Sequence, residues 1–183
     1  MTYRVCFVCT GNICRSPMAE AVFRARLAEA GLDGLVEAES AGTGGWHVGE
    51  GADPRAAAVL EDNGYANAHT ARQFQPSWFD RLDLVVALDS GHLTALRRLA
   101  STPEDAAKVR LLRAYAHPSP GLQPSTSESP APSDPSDEAG DDLDVPDPYY
   151  GGRDDFEECL EMVETACEGL LAAVREHLEG RAA

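Results

Sequence analysis

Cys9-Thr10-Gly11-Asn12-Ile13-Cys14-Arg15-Ser16-Pro17 is the stretch from which the rest of the chain is read. Before it, Tyr3 to Cys9 is a short apolar run suited to a buried strand. After it, Ser16 offers a helix N-cap and Pro17 fits a first helical position. Ala19, Val22, Phe23, Leu27 and Ala30 then recur at helical spacing up to Gly31. Strand, loop and helix in that order open a parallel α/β sheet. Such sheets bind ligands at the carboxyl ends of their strands, where a helix N-terminus presents unpaired N–H groups and the positive end of a dipole. The loop is therefore expected to cradle an oxyanion of phosphate size, with Thr10, Gly11, Asn12, Ile13, Cys14, Arg15 and Ser16 wrapped around it. Gly11 and Asn12 are the types best able to take unusual backbone angles there.

In that setting a thiolate at Cys9 is favoured over the thiol, because a helix N-terminus and an arginine both stabilise negative charge. Arg15 offers a planar fork that matches two phosphate oxygens and never loses its charge. Ser16 can donate its hydroxyl toward the Cys9 sulfur. Amides and guanidinium together neutralise a transferring phosphoryl group, so neither metal nor cofactor is needed. A departing phenolate needs a proton and the later attacking water needs a base, which calls for a carboxylic acid opposite Cys9. Asp147, in Asp147-Pro148-Tyr149-Tyr150, is the candidate, and its two tyrosines can wall a substrate ring. Trp46, with His47, is the other candidate wall.

Outside this site, strand-like runs alternate with helical patterns, the signature of an α/β fold with helices on both faces of a parallel sheet. Val36 to Ala41 reads as a second strand, and Asp53-Pro54 starts a helix that stops at Gly64. Leu82 to Leu88 reads as a third strand and His92 to Ala100 as a helix. Val109 to Leu112 completes a four-stranded sheet. The last helix is expected to open on an Asp154/Glu157 capping box and to end near Gly180, lining one face with Phe156, Leu160, Val163, Cys167, Leu170, Leu171, Val174 and Leu178.

A length of 183 residues suits one domain, and the chain is 43% hydrophobic and 25% charged, as in ordinary soluble proteins. No apolar run approaches the length of a membrane helix, and the apolar start is too short for a signal peptide. With five cysteines in no regular framework, a reducing, cytoplasmic setting is expected. A net charge of −16 argues against a nucleic-acid partner. Half of that charge falls between Pro118 and Pro148, which holds eight of the twelve prolines and no Lys or Arg. About residues 118–142 are therefore expected to form a solvated, flexible acidic insertion.

These residues resemble the low-molecular-weight protein tyrosine phosphatases over nearly the whole chain outside the insertion. Cys9 to Ser16 is similar to the family's C-x5-R-S signature, and Ser40-Ala41-Gly42-Thr43 with Trp46 to the loop after its second strand. His69-Thr70-Ala71-Arg72-Gln73 resembles another family segment, and Asp147-Pro148-Tyr149-Tyr150 the general-acid loop. The resemblance implies Cys9 as nucleophile, Arg15 as phosphate clamp, Asp147 as acid then base, and Ser16 as thiolate stabiliser. It further implies that Asn12, Ser40 and His69 brace the loop and that Ile13, Trp46, Tyr149 and Tyr150 line the cleft. Cys14 would pair reversibly with Cys9 under oxidation. The implied activity is hydrolysis of phosphotyrosine in proteins by a monomer or weak dimer. Leu88-Asp89-Ser90-Gly91-His92 departs from the family's Met-Asp-x-x-Asn and leaves Asp89 without an assigned role.

Plainer readings sit beside these. Cys9 and Cys14 lack a second close ligand pair, so no metal site is expected. Cys6, Cys159 and Cys167 read as small core residues, and His47, His92, His117 and His177 as no more than polar surface. An arsenate reductase of this fold would carry further relay cysteines, yet residues 75–100 contain none. An arginine phosphatase is associated with a threonine where this chain has Ile13. A phosphotyrosine-binding module would need neither Cys9 nor Asp147.

Overall fold

The computed structural model describes residues 2–116 and 143–182. The acidic insertion expected at 118–142, and His117, lie outside the described residues. The sheet has four parallel strands in the order β2-β1-β3-β4: β1 (Tyr3–Cys9), β2 (Val36–Gly42), β3 (Leu84–Ala87) and β4 (Val109–Leu111). The helices are α1 (Arg15–Glu29), α2 (Pro54–Asp62), α3 (Ser90–Leu99), α4 (Pro103–Ala107) and α5 (Arg153–Ala182). This is the α/β class read from the sequence.

Successive side chains of a strand point to opposite faces, which divides β1 between two cores. Val5, Phe7 and Cys9 pack with Phe23 and Val22 of α1 and with Phe156, Leu160 and Val163 of α5. Cys6 and Val8 pack with Phe74, Phe79, Leu93 and Leu96 on the other face. Because helices cover both sides, β1 carries an unbroken apolar run instead of an alternating one. The chain leaves β1 for β2 on one side and reaches β3 on the other. That reversal opens a crevice at the carboxyl end of β1, where Cys9 stands.

Several element ends differ from expectation, each for a local reason. Cys14, not Ser16, is the N-cap of α1 and makes no side-chain cap bond; the Ser16 hydroxyl lies inside the helix, engaged by Cys9 and Asn12. The α5 capping box does not form: the Gly152 N–H donates to Asp155, and Glu157 pairs instead with Arg153. That helix runs on to Ala182. The third strand is confined to Leu84–Ala87. α3 begins two residues earlier than read, at Ser90, because the Asp89 carboxylate accepts from the His92 N–H at 2.8 Å. Asp53 caps α2 as expected. Among the described residues no helix is long and apolar enough to cross a membrane.

Candidate active site

The loop between β1 and α1 is shaped by Asn12, which takes a left-handed backbone angle, φ 59°. Gly11 does not share it. A side chain there would instead crowd His47, whose Cδ2 would lie 2.9 Å from an added Cβ. Asn12 is fully buried, and its polar groups are spent holding the turn. Its Nδ2 donates to Ser16 Oγ at 2.8 Å and to Ser40 Oγ at 3.0 Å; its Oδ1 accepts from Arg72 N at 2.9 Å. His69 Nε2 reaches its carbonyl at 2.6 Å, and since a carbonyl only accepts, that nitrogen carries a proton.

The direction of these bonds follows from Glu20. Burial works against its charge, but nearby His69 and Arg24 and a hydrogen bond from Ser40 hold its carboxyl below the usual range. An ionised carboxylate can only accept, so Ser40 Oγ donates to Glu20 Oε2 at 2.8 Å and accepts from Asn12. The second Asn12 N–H fills Ser16 Oγ. The Ser16 proton is then free for Cys9 Sγ, 2.9 Å away, with the Ala41 carbonyl farther off at 3.3 Å. The chain of bonds ends by asking the Cys9 sulfur to accept, which suits a thiolate.

Arg15 is 3% exposed. Its Nη1 donates to Asp89 Oδ2 at 2.8 Å and to the Val145 carbonyl at 3.0 Å; its Nη2 donates to Thr10 Oγ1 at 3.3 Å and lies 3.6 Å from Asp147 Oδ2. Burial opposes its charge, but Cys9, Asp89 and Asp147 together raise its pKa above the ordinary value. Asp89, which the sequence reading left without a role, thus orients the guanidinium. Burial is outweighed at its carboxyl by His92 and Arg15, which hold it below the usual range.

His92 corrects the sequence reading: it is 5% exposed, and its Nε2 is hydrogen-bonded to Thr10 Oγ1 at 2.8 Å. Burial pushes its pKa down from 6.5 to about 4, with Asp89 pulling the other way. A histidine depressed on folding stabilises fully above its unfolded pKa, and that contribution fades as pH falls toward the folded value. The protein is therefore expected to lose on the order of 3 kcal/mol between pH ~6.5 and ~4 through this group. Asp89 adds loss in the same direction at the acid end. His92→Asn should flatten that slope, read from urea midpoints against pH; an unchanged slope would mean His92 is not buried neutral. His177 is exposed, as read, with its ring tilted against that of Tyr3 at 5.0 Å.

A cleft of about 250 Å³ opens over the loop, lined by Cys9, Thr10, Gly11, Ile13, Cys14 and Arg15 on its floor and by Trp46, His47, Asp147, Tyr149 and Tyr150 on its walls. Trp46 is 74% exposed, so it is a wall and not a packed residue. A side chain at Gly44 would overlap its ring, so the close approach requires glycine. Tyr149 and Tyr150 meet edge to face at 5.0 Å. Cys6, Cys9, Cys14, Cys159 and Cys167 are all buried, free thiols. Burial raises the pKa of Cys14 well above the ordinary thiol value and that of Cys159 to about 12. Ser40 and His69, far from the loop in sequence, lie against it, while Cys6 and Cys167 stay in the cores. Glu20 and the side chain of Thr10 were not singled out. Glu20 follows Ser16 by one helical turn, which was the available signal.

The family described as "Low molecular weight phosphotyrosine protein phosphatase" matches residues 4–123 and 135–180. A low molecular weight protein-tyrosine-phosphatase of Streptomyces coelicolor is 72% identical over 183 residues, all of both chains. Low molecular weight protein-tyrosine phosphatase A of Mycobacterium tuberculosis is 45% identical over 95% of this chain and 93% of its own. Among solved structures, YfkJ from Bacillus subtilis aligns with TM-score 0.77 and 34% identity, covering 97% of each chain. A protein tyrosine phosphatase from Entamoeba histolytica aligns with TM-score 0.80 and 29% identity, over 96% of this chain and 99% of that one. Sequence, fold and family match agree: this chain is an enzyme belonging to the low molecular weight phosphotyrosine protein phosphatases.

Proposed function

We propose that this chain hydrolyses phosphotyrosine in proteins in two steps at Cys9. In the first, the Cys9 thiolate attacks phosphorus, the bond to the tyrosine oxygen breaks, and the Asp147 carboxylic acid gives its proton to the departing phenolate. In the second, water attacks the cysteinyl phosphate while the Asp147 carboxylate takes its proton, and inorganic phosphate leaves the regenerated thiolate. Arg15 and the amides of residues 10–16 carry the charge of the transferring group in both steps.

The observation that supports this reading most is the run of hydrogen bonds from Glu20 through Ser40, Asn12 and Ser16 to the Cys9 sulfur. Ser40 gives its proton to Glu20 and accepts from one Asn12 N–H, the other Asn12 N–H goes to Ser16, and the Ser16 proton is left for the Cys9 sulfur. The substrate class is supported by the walls: Trp46, Tyr149, Tyr150 and Ile13 all line the cleft, an aromatic and apolar lining suited to a substrate ring.

The test offers the purified protein phosphotyrosine, phosphoserine and phosphoarginine peptides side by side, with and without a chelator. Phosphotyrosine should be preferred and the chelator without effect, since Arg15 and the loop amides supply the positive charge. Preference for phosphoarginine would overturn the argument from Ile13. Loss of activity with chelator would overturn the proposed charge balance.

A further inference from the structure

Asp147 stands between two anchors, and the second of them lies outside the machinery described above. Upstream, Val145 N–H donates to the Leu88 carbonyl at 2.9 Å and the Val145 carbonyl accepts from Arg15. Ser90 N–H also donates to Asp144 Oδ1 at 2.7 Å, so this side is sewn to the end of β3 and the start of α3. Downstream, Tyr149 N–H donates to Asp147 Oδ1 at 3.1 Å, and Gly151 N–H closes a turn on the Pro148 carbonyl at 2.9 Å. The Gly151 carbonyl then accepts from Arg55 Nη1 at 3.0 Å.

Arg55 belongs to the first turn of α2, and its guanidinium joins three segments. Nε and Nη2 donate to the two oxygens of Asp53 at 3.1 Å each. Its carbon lies 5.6 Å from the centre of the Tyr149 ring and 4.7 Å from that of Phe156. Asp53 in turn donates its backbone N–H to the Ile13 carbonyl, in the phosphate loop, at 2.8 Å. A continuous path therefore runs from Ile13 through Asp53 and Arg55 to Gly151 and Tyr149.

We propose that Arg55 is a positioning residue that latches the acid loop to the phosphate loop and so sets where the Asp147 carboxyl stands in the cleft. The inference rests on the reading of Asp147 as the acid. Burial works against the charge of Asp53, but the side-chain and backbone bonds from Arg55 hold its carboxyl below the usual range, as a formed pair requires. A fork is needed because three directions are served at once; a lysine carries the charge but makes no such planar contact.

Leaving-group dependence separates positioning of an acid from general damage. Tyrosine phosphate needs its leaving oxygen protonated, whereas dinitrophenyl phosphate expels a stable anion. Arg55→Ala, and Arg55→Lys as the milder variant, should lower kcat/KM on a phosphotyrosine peptide by about tenfold or more, the scale of a misplaced catalytic group. On dinitrophenyl phosphate they should stay within about twofold, and inhibition by inorganic phosphate should be unchanged. Asp147→Ala, run alongside, should show the same split more strongly. Loss on both substrates together, or on neither, in a folded Arg55 variant would overturn the latch while leaving the acid assignment standing. If Asp147→Ala itself shows no split, there is no acid to position, and both readings fall. Inactivity of the unaltered protein toward every aryl phosphate would sink the proposed function first.

Discussion

Replacing Cys9 by serine will abolish turnover of aryl phosphates while leaving phosphotyrosine bound. The hydroxyl is close to the thiol in shape, so Ser16 and Asn12 keep their partners and Arg15 keeps its grip from Asp89 and the Val145 carbonyl. What disappears is the sulfur that the proposed mechanism uses to attack phosphorus, and a serine hydroxyl is a far weaker nucleophile. Binding without turnover is checked by titration calorimetry with a phosphotyrosine peptide beside a phosphate-release assay. Substantial turnover by Cys9→Ser would mean that another group attacks phosphorus. Loss of binding would mean instead that the loop's shape depends on the sulfur itself.

Asp147→Ala comes next in size, with an expected loss of roughly 10²- to 10⁴-fold, the scale of one acid–base group. The side chain is 46% exposed and 3.6 Å from Arg15 Nη2, at the rim of the cleft and not in the loop's support. Its removal should leave the fold and the phosphate site intact, so affinity for inorganic phosphate should hold while turnover falls. The Tyr149 N–H loses its acceptor, which releases the turn as well as the acid. Steady-state rates on a phosphotyrosine peptide decide the matter; unchanged turnover would mean that the acid has been misassigned.

Much of this is legible in the amino-acid sequence alone. The strand, loop and helix around Cys9 follow from local patterns of apolar spacing, Gly, Pro and Asn, and these are short-range signals that fix the fold class. Asp53 and Pro54 likewise mark the start of α2 unaided. The charges that face each other across the cleft were less accessible, because they depend on which loops meet. Asp89 is 74 residues from Arg15 in sequence, and only the parallel pairing of β3 beside β1 brings the two together. Its place just past the end of a strand was the sole hint. His92 read as polar surface because a helical histidine offers no local sign of burial; the ring is covered by packing beneath Thr10. Ser16 misled as an N-cap for a related reason. The type suits capping, but a tertiary demand from the Cys9 sulfur outcompetes it. Latches such as Arg55 are equally silent in sequence, since their worth lies in joining segments 96 residues apart.

The sharpest trial of a sulfur anion as phosphoryl acceptor is to quench the working enzyme on a phosphotyrosine peptide within its first turnover and map the covalent label by mass spectrometry. A phosphoryl group on the peptide containing position 9, absent from Cys9→Ser, is the predicted result. Full turnover with no labelled protein, or label on any other side chain, would contradict it.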